Sequence, residues 1–201
     1  GFTKDEMLRP DEYAAMPELE RLVLHWLSEL DGEIRGYIKS YEFGKMAHRL
    51  HHFCNNELSS FYFDIRKDRL YCDRPDLFER RATRTVMAHI FDCLVTWFAP
   101  MLSYTAEEAW SLRPAGVYDD AESVHLRVFP SVPREWRDEA LAEKWKQIRF
   151  QRDAVFERLE RKREAKEIGS SLEAKISSDI HENYKDLFQN LDWAELCIVS
   201  Q

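Results

Sequence analysis

The stretch Phe53–Tyr71, FCNNELSSFYFDIRKDRLY, decides how the rest of the chain is read. Phe53, Cys54, Leu58, Phe61, Tyr62 and Ile65 follow one another at the spacing of a buried helix face. Directly after them come Arg66, Lys67, Asp68 and Arg69, so a core-anchored helix is expected to end in a cationic tip. The preceding YEFGKMAHRLHH (Tyr41–His52) puts Met46, Leu50 and Phe53 on one side of a helix, with His48, His51, His52 and Asn55 on the other. His48 and His52, one turn apart, have the spacing of two metal ligands. No third ligand has a place fixed by the sequence, and a polar face opposite a core stripe needs no metal to explain it. Phe61, Tyr62 and Phe63 read as core. Tyr71, beside the basic tip, is the one plausible base-stacking residue of the stretch.

Composition limits the classes available. With 201 residues, 44% hydrophobic and 13% aromatic, the chain has the material for a folded core. Only six Gly and seven Pro among long runs of good helix formers predict a mainly α fold. No apolar run approaches the roughly 18 residues of a membrane span, and the N-terminus has neither signal- nor transit-peptide character. The expectation is a cytoplasmic protein without membrane association. Cys54, Cys72, Cys93 and Cys197 form no CxxC pair, so reduced thiols are expected rather than a zinc knuckle or a disulfide framework.

The net charge of -8 argues against a nucleic-acid groove running over the whole surface. Its distribution is uneven. Residues 66–87 hold seven cations against four anions, and residues 134–167 eleven against nine, within an otherwise acidic chain. Two basic islands are compatible with a local anionic footprint, and equally with ordinary solvated helix faces.

In order along the chain, a long amphipathic helix is predicted from near Met16 to about Tyr41, with Gly32 and Gly36 as marks of close packing. After the helix that contains Phe53–Tyr71, Asp73 and Pro75 break the chain, and Asp76 is placed to cap a central helix from Leu77 to about Ala99. A turn this short implies antiparallel neighbours. Arg66, Lys67 and Arg69 then share one end of a bundle with Arg80, Arg81 and Arg84. Cations at a helix N-terminus run against its dipole, which is a motive to look for an anion there. Thr105 with Glu108 reads as a capping box, which explains Glu107 and Glu108 better than an acid–base pair does. Residues 115–133 are taken as a crossing between subdomains, with SVHLRVFP extended. A last long helix is predicted from about Glu135 to Ile168, closed by Gly169. Its apolar stripe (Leu141, Trp145, Ile148, Val155, Phe156, Leu159) continues as Arg163 and Lys166, so that end must face water or an anionic partner. Strands at Leu172–Ile180 and Leu196–Val199 around a helix from His181 to Leu191 complete a small α/β appendage. The predicted division is 1–114, 115–133 and 134–201.

The wording of Tyr41–Tyr71 resembles the anticodon-binding region of the isoleucyl-tRNA synthetases, a family of class I aminoacyl-tRNA synthetases. FAPMLSYTAEEAW (Phe98–Trp110) and the SVHL phrase continue the likeness, and LERKREAKEIGSSLEAKI (Leu159–Ile176) is similar to a motif shared by isoleucyl, valyl and leucyl enzymes. Where the family has a DRW-type phrase this chain reads ELERLVLHWL. The resemblance implies a mainly α, antiparallel helical bundle of the anticodon-binding type with a small C-terminal α/β appendage. It implies as partners the anticodon arm of isoleucine tRNA and the catalytic and editing domains of a parent chain, in a monomer. The full-length family uses ATP, magnesium and usually zinc. The HIGH-like and KMSKS-like phrases of the catalytic domain do not occur here, and KMAH (Lys45–His48) is no substitute. The expectation is therefore a C-terminal portion that binds tRNA, with no catalytic residue, metal or cofactor of its own. Expected tRNA contacts are Arg66, Lys67, Arg69, Tyr71, Arg80, Arg81 and Arg84 on the bundle, and Lys144, Arg149, Arg152, Arg163 and Lys166 on the last helix. Three alternatives remain at this point: the equivalent domain of a valyl or leucyl enzyme, a helical protein-interaction module, or a histidine-based metal hydrolase.

Overall fold

The computed structural model describes residues 3–175 and 191–199. They form a mainly α protein divided into two compact units, 1–138 and 139–201. In the first unit two short 3-10 turns, Lys4–Glu6 and Pro10–Ala15, lead into α1 (Glu18–Lys39). The chain reverses and returns through α2 (Phe43–His52), a π-helical stretch (Phe53–Phe63) and α3 (Asp64–Cys72). A five-residue turn leads to α4 (Phe78–Phe98), followed by α5 (Ser103–Ser111). Leu22, Val23, Leu27, Leu30 and Ile34 of α1 are buried, as are Val86, Ile90 and Trp97 of α4. These helices run alternately up and down, because an α-helix is a rod that hides its apolar stripe best against antiparallel neighbours.

The π-helical stretch has a cause in the sequence. Phe53 and Leu58 are both buried yet stand five residues apart, which on an α-helix would turn Leu58 about 140° away from Phe53. Wider i→i+5 turns bring Leu58, Phe61 and Tyr62 back over the core. The apolar recurrence through Phe53–Ile65 is thus helical, but its period slips once.

Several local expectations are corrected. Gly32 and Gly36 are exposed, and a Cβ on Gly36 would meet nothing within 4 Å, so neither marks close packing. Asp76 pairs with Arg74 at 2.6 Å instead of capping, and α4 has Leu77 at its N-cap with no side-chain cap. Thr105 lies inside α5, not at its start. Glu107 instead anchors the loop that follows α5, its Oε2 accepting from the Ser123 hydroxyl at 2.8 Å and the Val124 N–H at 3.0 Å. The SVHLRVFP phrase is not extended throughout. Val124–Leu126 make a 3-10 turn capped by Ser123, and no strand occurs among the described residues.

Residues 115–133 belong to the first unit. Val124 is buried with Val95, Ala106 and Trp110, and Tyr118 packs on the same cluster. Trp110 carries Arg113 and Arg127 over its ring at 4.0 and 4.3 Å, and its indole N–H reaches the Ala121 carbonyl at 2.9 Å. Arg127 also bridges Asp92 and Asp119, both at 2.8 Å.

In the second unit α6 runs Glu139–Glu164, shorter than expected at both ends because Arg134–Trp136 form a separate 3-10 turn and the helix closes before Gly169. Lys166, at φ +58, takes the left-handed position that glycine usually fills. The α/β appendage is corrected where it is described. Leu172 lies in the 3-10 turn Ser171–Glu173, and Leu196 and Cys197 belong to a short helix, α7 (Trp193–Cys197). Leu159, Ala174, Cys197 and Val199 form the small core of this unit. Residues 176–190, holding most of one expected strand and all but the last residue of the expected His181–Leu191 helix, lie outside the described residues.

Candidate nucleic-acid interface

The antiparallel geometry does bring the two cationic runs to one end of the first unit. What those cations touch there differs from the expectation. Arg66 is buried, and its guanidinium grips Glu20 of α1 with two bonds, Nε to Oε1 at 2.7 Å and Nη2 to Oε2 at 2.8 Å. Tyr62 donates to the same carboxylate at 3.3 Å and Thr83 of α4 at 2.9 Å. Burial and the neighbouring Glu20 charge hold the Tyr62 phenol well above its ordinary range, so it remains a donor. Glu20 thereby ties α1, α3, α4 and the π-helical stretch together. A guanidinium buried against a carboxylate that it neutralises is not presented to a phosphate in solvent. Arg66 is a core residue, not a surface contact.

The arginines of α4 turn toward the start of the chain. Arg81 donates to the carbonyls of Glu6 and Met7 at 3.4 and 3.1 Å, and Arg84 pairs with the Glu6 carboxylate. Leu8, buried, places its N–H 2.8 Å from the Thr85 hydroxyl. Arg80 donates to the Asp73 carbonyl, closing the α3–α4 turn. Cations at this helix N-terminus therefore serve backbone carbonyls and a carboxylate within the protein. They clamp the N-terminal segment onto the bundle.

Three expected residues of this end remain accessible to varying degrees. Lys67 is exposed and pairs with Asp64 at 3.1 Å, while Arg69 is part-buried beside Asp73 at 3.6 Å. The Lys67 pair, open to solvent, holds its side chain weakly. Tyr71 projects fully, 86% exposed.

The residues expected on α6 divide in the same way. Arg152 is buried, donates to the Leu196 carbonyl at 2.6 Å and lies over the Phe156 ring at 4.3 Å, joining α6 to α7. It too is structural. Lys144 and Arg149 are part-exposed, Arg163 is part-exposed and paired with Glu160, and Lys166 is exposed beyond the helix end. The apolar stripe does give way to cations after Leu159.

The histidines and cysteines do other work. Asn55 lies 3.1 Å from His51 and Asn56 3.1 Å from His52, so each of these imidazoles has an amide neighbour one turn along. His25, fully buried, was not singled out by sequence reasoning: its Nδ1 accepts the Asp138 N–H at 2.8 Å and its Nε2 faces Glu29 at 3.1 Å. His89 is held by the Tyr13 hydroxyl at 2.7 Å and meets the Trp136 ring edge-on, and burial lowers its pKa to about 4. All four cysteines are free thiols. Cys197 is pushed up to about 11 by burial, which leaves it an inert core group.

Residues 20–178 match the family model described as the anticodon-binding domain of tRNA ligase. The chain belongs to that family. It is 53% identical over 191 residues to an isoleucine-tRNA ligase of Agrobacterium fabrum, covering 94% of this chain and 19% of that protein. The corresponding enzyme of Mesorhizobium japonicum is 49% identical over 187 residues, covering 92% and 18%, and that of Rhodopseudomonas palustris 48% over 190, covering 94% and 18%. The chain thus spans about a fifth of the length of these relatives, and it is homologous to the anticodon-binding portion of isoleucine-tRNA ligases. No helix among the described residues is long and apolar enough to cross a membrane.

Proposed function

We propose that this anticodon-binding domain receives the anticodon arm of isoleucine tRNA and positions it for aminoacylation by a catalytic domain of a parent ligase, contributing no catalytic group of its own. The observation that carries this is the match of 20–178 to the family together with 53% identity to an isoleucine-tRNA ligase. The structure narrows the residues available to touch an RNA. Lys67 and Tyr71 in the first unit, and Lys166 in the second, are the expected contacts whose side chains are exposed, with Arg163 part-exposed. Arg69, Lys144 and Arg149 are partly accessible, Arg80 acts indirectly by closing the turn after the helix that carries Lys67 and Tyr71, and Arg81 and Arg84 hold the N-terminal segment. Phosphate contacts by Lys and Arg position an RNA, whereas an exposed tyrosine offers a face on which an unpaired base stacks.

The test is a fluorescence titration of the chain with an isoleucine anticodon stem-loop at low and moderate salt, in competition with a hairpin of equal stem length lacking the anticodon loop. Saturable binding that weakens with salt and resists the competitor is expected. Equal competition by both hairpins would reduce the reading to non-specific attraction. In a parent ligase, Lys67→Ala with Tyr71→Ala should weaken tRNA binding while isoleucine-dependent ATP–pyrophosphate exchange stays unchanged.

A further inference from the structure

α4 carries two apolar seams, not one. Val86, Ile90, Cys93 and Trp97 recur every three or four residues and are buried within the bundle. Met87, Phe91, Leu94 and Phe98 repeat the same steps one residue later, which on a helix is a rotation of about 100° to a second face. Tyr118 covers Phe91, with ring centroids 5.1 Å apart. Met87, Leu94 and Phe98 border an open groove of about 370 Å³ between α4 and α5. On the α5 side Thr105, Ala106 and Ala109 are too small to fill it, and Leu102 and Phe63 complete its wall. Met87 is 36% exposed and Leu102 49%. Among the described residues, every side chain that lines the groove is apolar except that of Thr105.

A contiguous apolar groove open to water stabilises nothing within this chain and marks a surface that something else covers. Charge separates the candidate occupants. An RNA needs cations for its phosphates, and none lines the groove among the described residues. A second copy would bring together two chains that each carry a net charge of -8. The rest of a parent ligase meets neither objection. This chain spans only 19% of the length of a relative 53% identical to it, so most of such a ligase lies outside it. The steps of the second α4 seam are those by which one helix packs on another, and small residues opposite admit a bulky side chain. We propose that the α4–α5 groove is an interdomain docking surface, seating an amphipathic helix from elsewhere in the parent ligase with its bulky apolar side chains over Ala106 and Ala109. The inference rests on the parent-ligase reading above and adds to it a surface that works without RNA.

The test is hydroxyl-radical footprinting read by mass spectrometry, on the chain alone and within a full-length ligase. Met87 should be oxidised readily in the chain alone, and in the ligase its oxidation should fall to the level of Met46, which is 1% exposed. Met87→Glu with Leu102→Glu puts two charges where the helix would sit. The pair should leave the unfolding temperature of the chain alone unchanged, because both side chains already face water there. In the ligase it should return Phe98 to the labelling seen in the chain alone, whereas Met87→Leu with Leu102→Met should keep Phe98 protected. Equal oxidation of Met87 in chain and ligase would overturn the proposal, and so would destabilisation of the chain alone by the two glutamates, which would make the groove part of its core. Protection of Met87 in the chain alone on adding an anticodon stem-loop would make the occupant an RNA, and protection on raising the chain's concentration would make it a second copy; either overturns the proposal. No RNA enters the comparison of chain with ligase, so its failure leaves the RNA-binding reading standing, and a chain that binds no stem-loop leaves the docking surface standing.

Discussion

The two ends of the first unit differ in a way their sequences do not announce. One holds Arg66, Arg80, Arg81 and Arg84 and directs those side chains inward onto Glu20, the Asp73 carbonyl and the N-terminal segment. The other has Lys39, Tyr41 and Phe43, all exposed. A run of positive residues therefore says little about a docking surface until the carboxylates and carbonyls brought in from elsewhere in the chain are known. Glu20 is 46 residues from Arg66, and Glu6 is 78 residues from Arg84.

The largest test of this contrast is Arg66→Ala. Removing one member of a buried pair leaves Glu20 desolvated with only hydroxyl donors, which costs about 3–5 kcal/mol. Urea unfolding of the variant should show that loss, and Glu20→Leu combined with Arg66→Met should recover most of it. A variant that kept its stability and lost RNA affinity would instead return Arg66 to the surface role its sequence suggests.

The next effect is a dependence on pH. Burial holds His89 near 4, below its ordinary value of 6.5, so between those values the unfolded chain binds more protons than the folded one. Stability is complete above pH 6.5 and falls as pH drops toward 4, by an amount on the order of 2–3 kcal/mol. Urea unfolding at a series of pH values should trace this window, and His89→Phe should flatten it. A slope unchanged in that variant would place the titration in another group.

What the sequence disclosed follows the range of the interaction responsible. The long helices were legible because their apolar stripes are local: Leu22 to Ile34 and Val86 to Trp97 need only a helical period to be recognised. The antiparallel α3–α4 pairing followed from a five-residue turn. The π-helical stretch was hidden, because a single five-residue step between Phe53 and Leu58 looks like noise until both residues are seen to be buried. Caps were misassigned where a nearer partner won, as Arg74 did over the α4 N-terminus for Asp76. The candidate contacts were the least legible of all. Arg66 and Lys67 are adjacent and equally basic, and a rotation of about 100° around the helix axis makes one a core residue and the other a surface one.

A smaller effect tests the clamp on the N-terminal segment. Thr85→Val leaves the buried Leu8 N–H without its acceptor, and Arg84→Ala removes the pair with Glu6. Each should cost about 1 kcal/mol. Hydrogen exchange should show faster amides over residues 6–8 in both variants, while the amides of α1 keep their protection. Uniform loss of protection would mean that the segment is part of one cooperative core.

The finest distinction lies in the second unit. Lys166 closes α6 in the left-handed conformation: its N–H bonds to the Arg163 carbonyl at 2.9 Å, the Glu167 N–H bonds to the Lys162 carbonyl at 2.9 Å, and its exposed side chain leaves the helix end at positive φ. A cation at a helix C-terminus gains a few tenths of a kcal/mol from the dipole, less than the roughly 1 kcal/mol that the left-handed conformation costs a residue with a Cβ. Helix stability alone therefore favours glycine here. Lys166→Gly should raise the unfolding free energy of this unit by up to about 1 kcal/mol. If the lysine is retained for a phosphate, the same change should weaken anticodon stem-loop binding by a few-fold and reduce the salt slope by about one ion. Higher stability with unaltered binding would leave the strain at Lys166 without a role in RNA recognition.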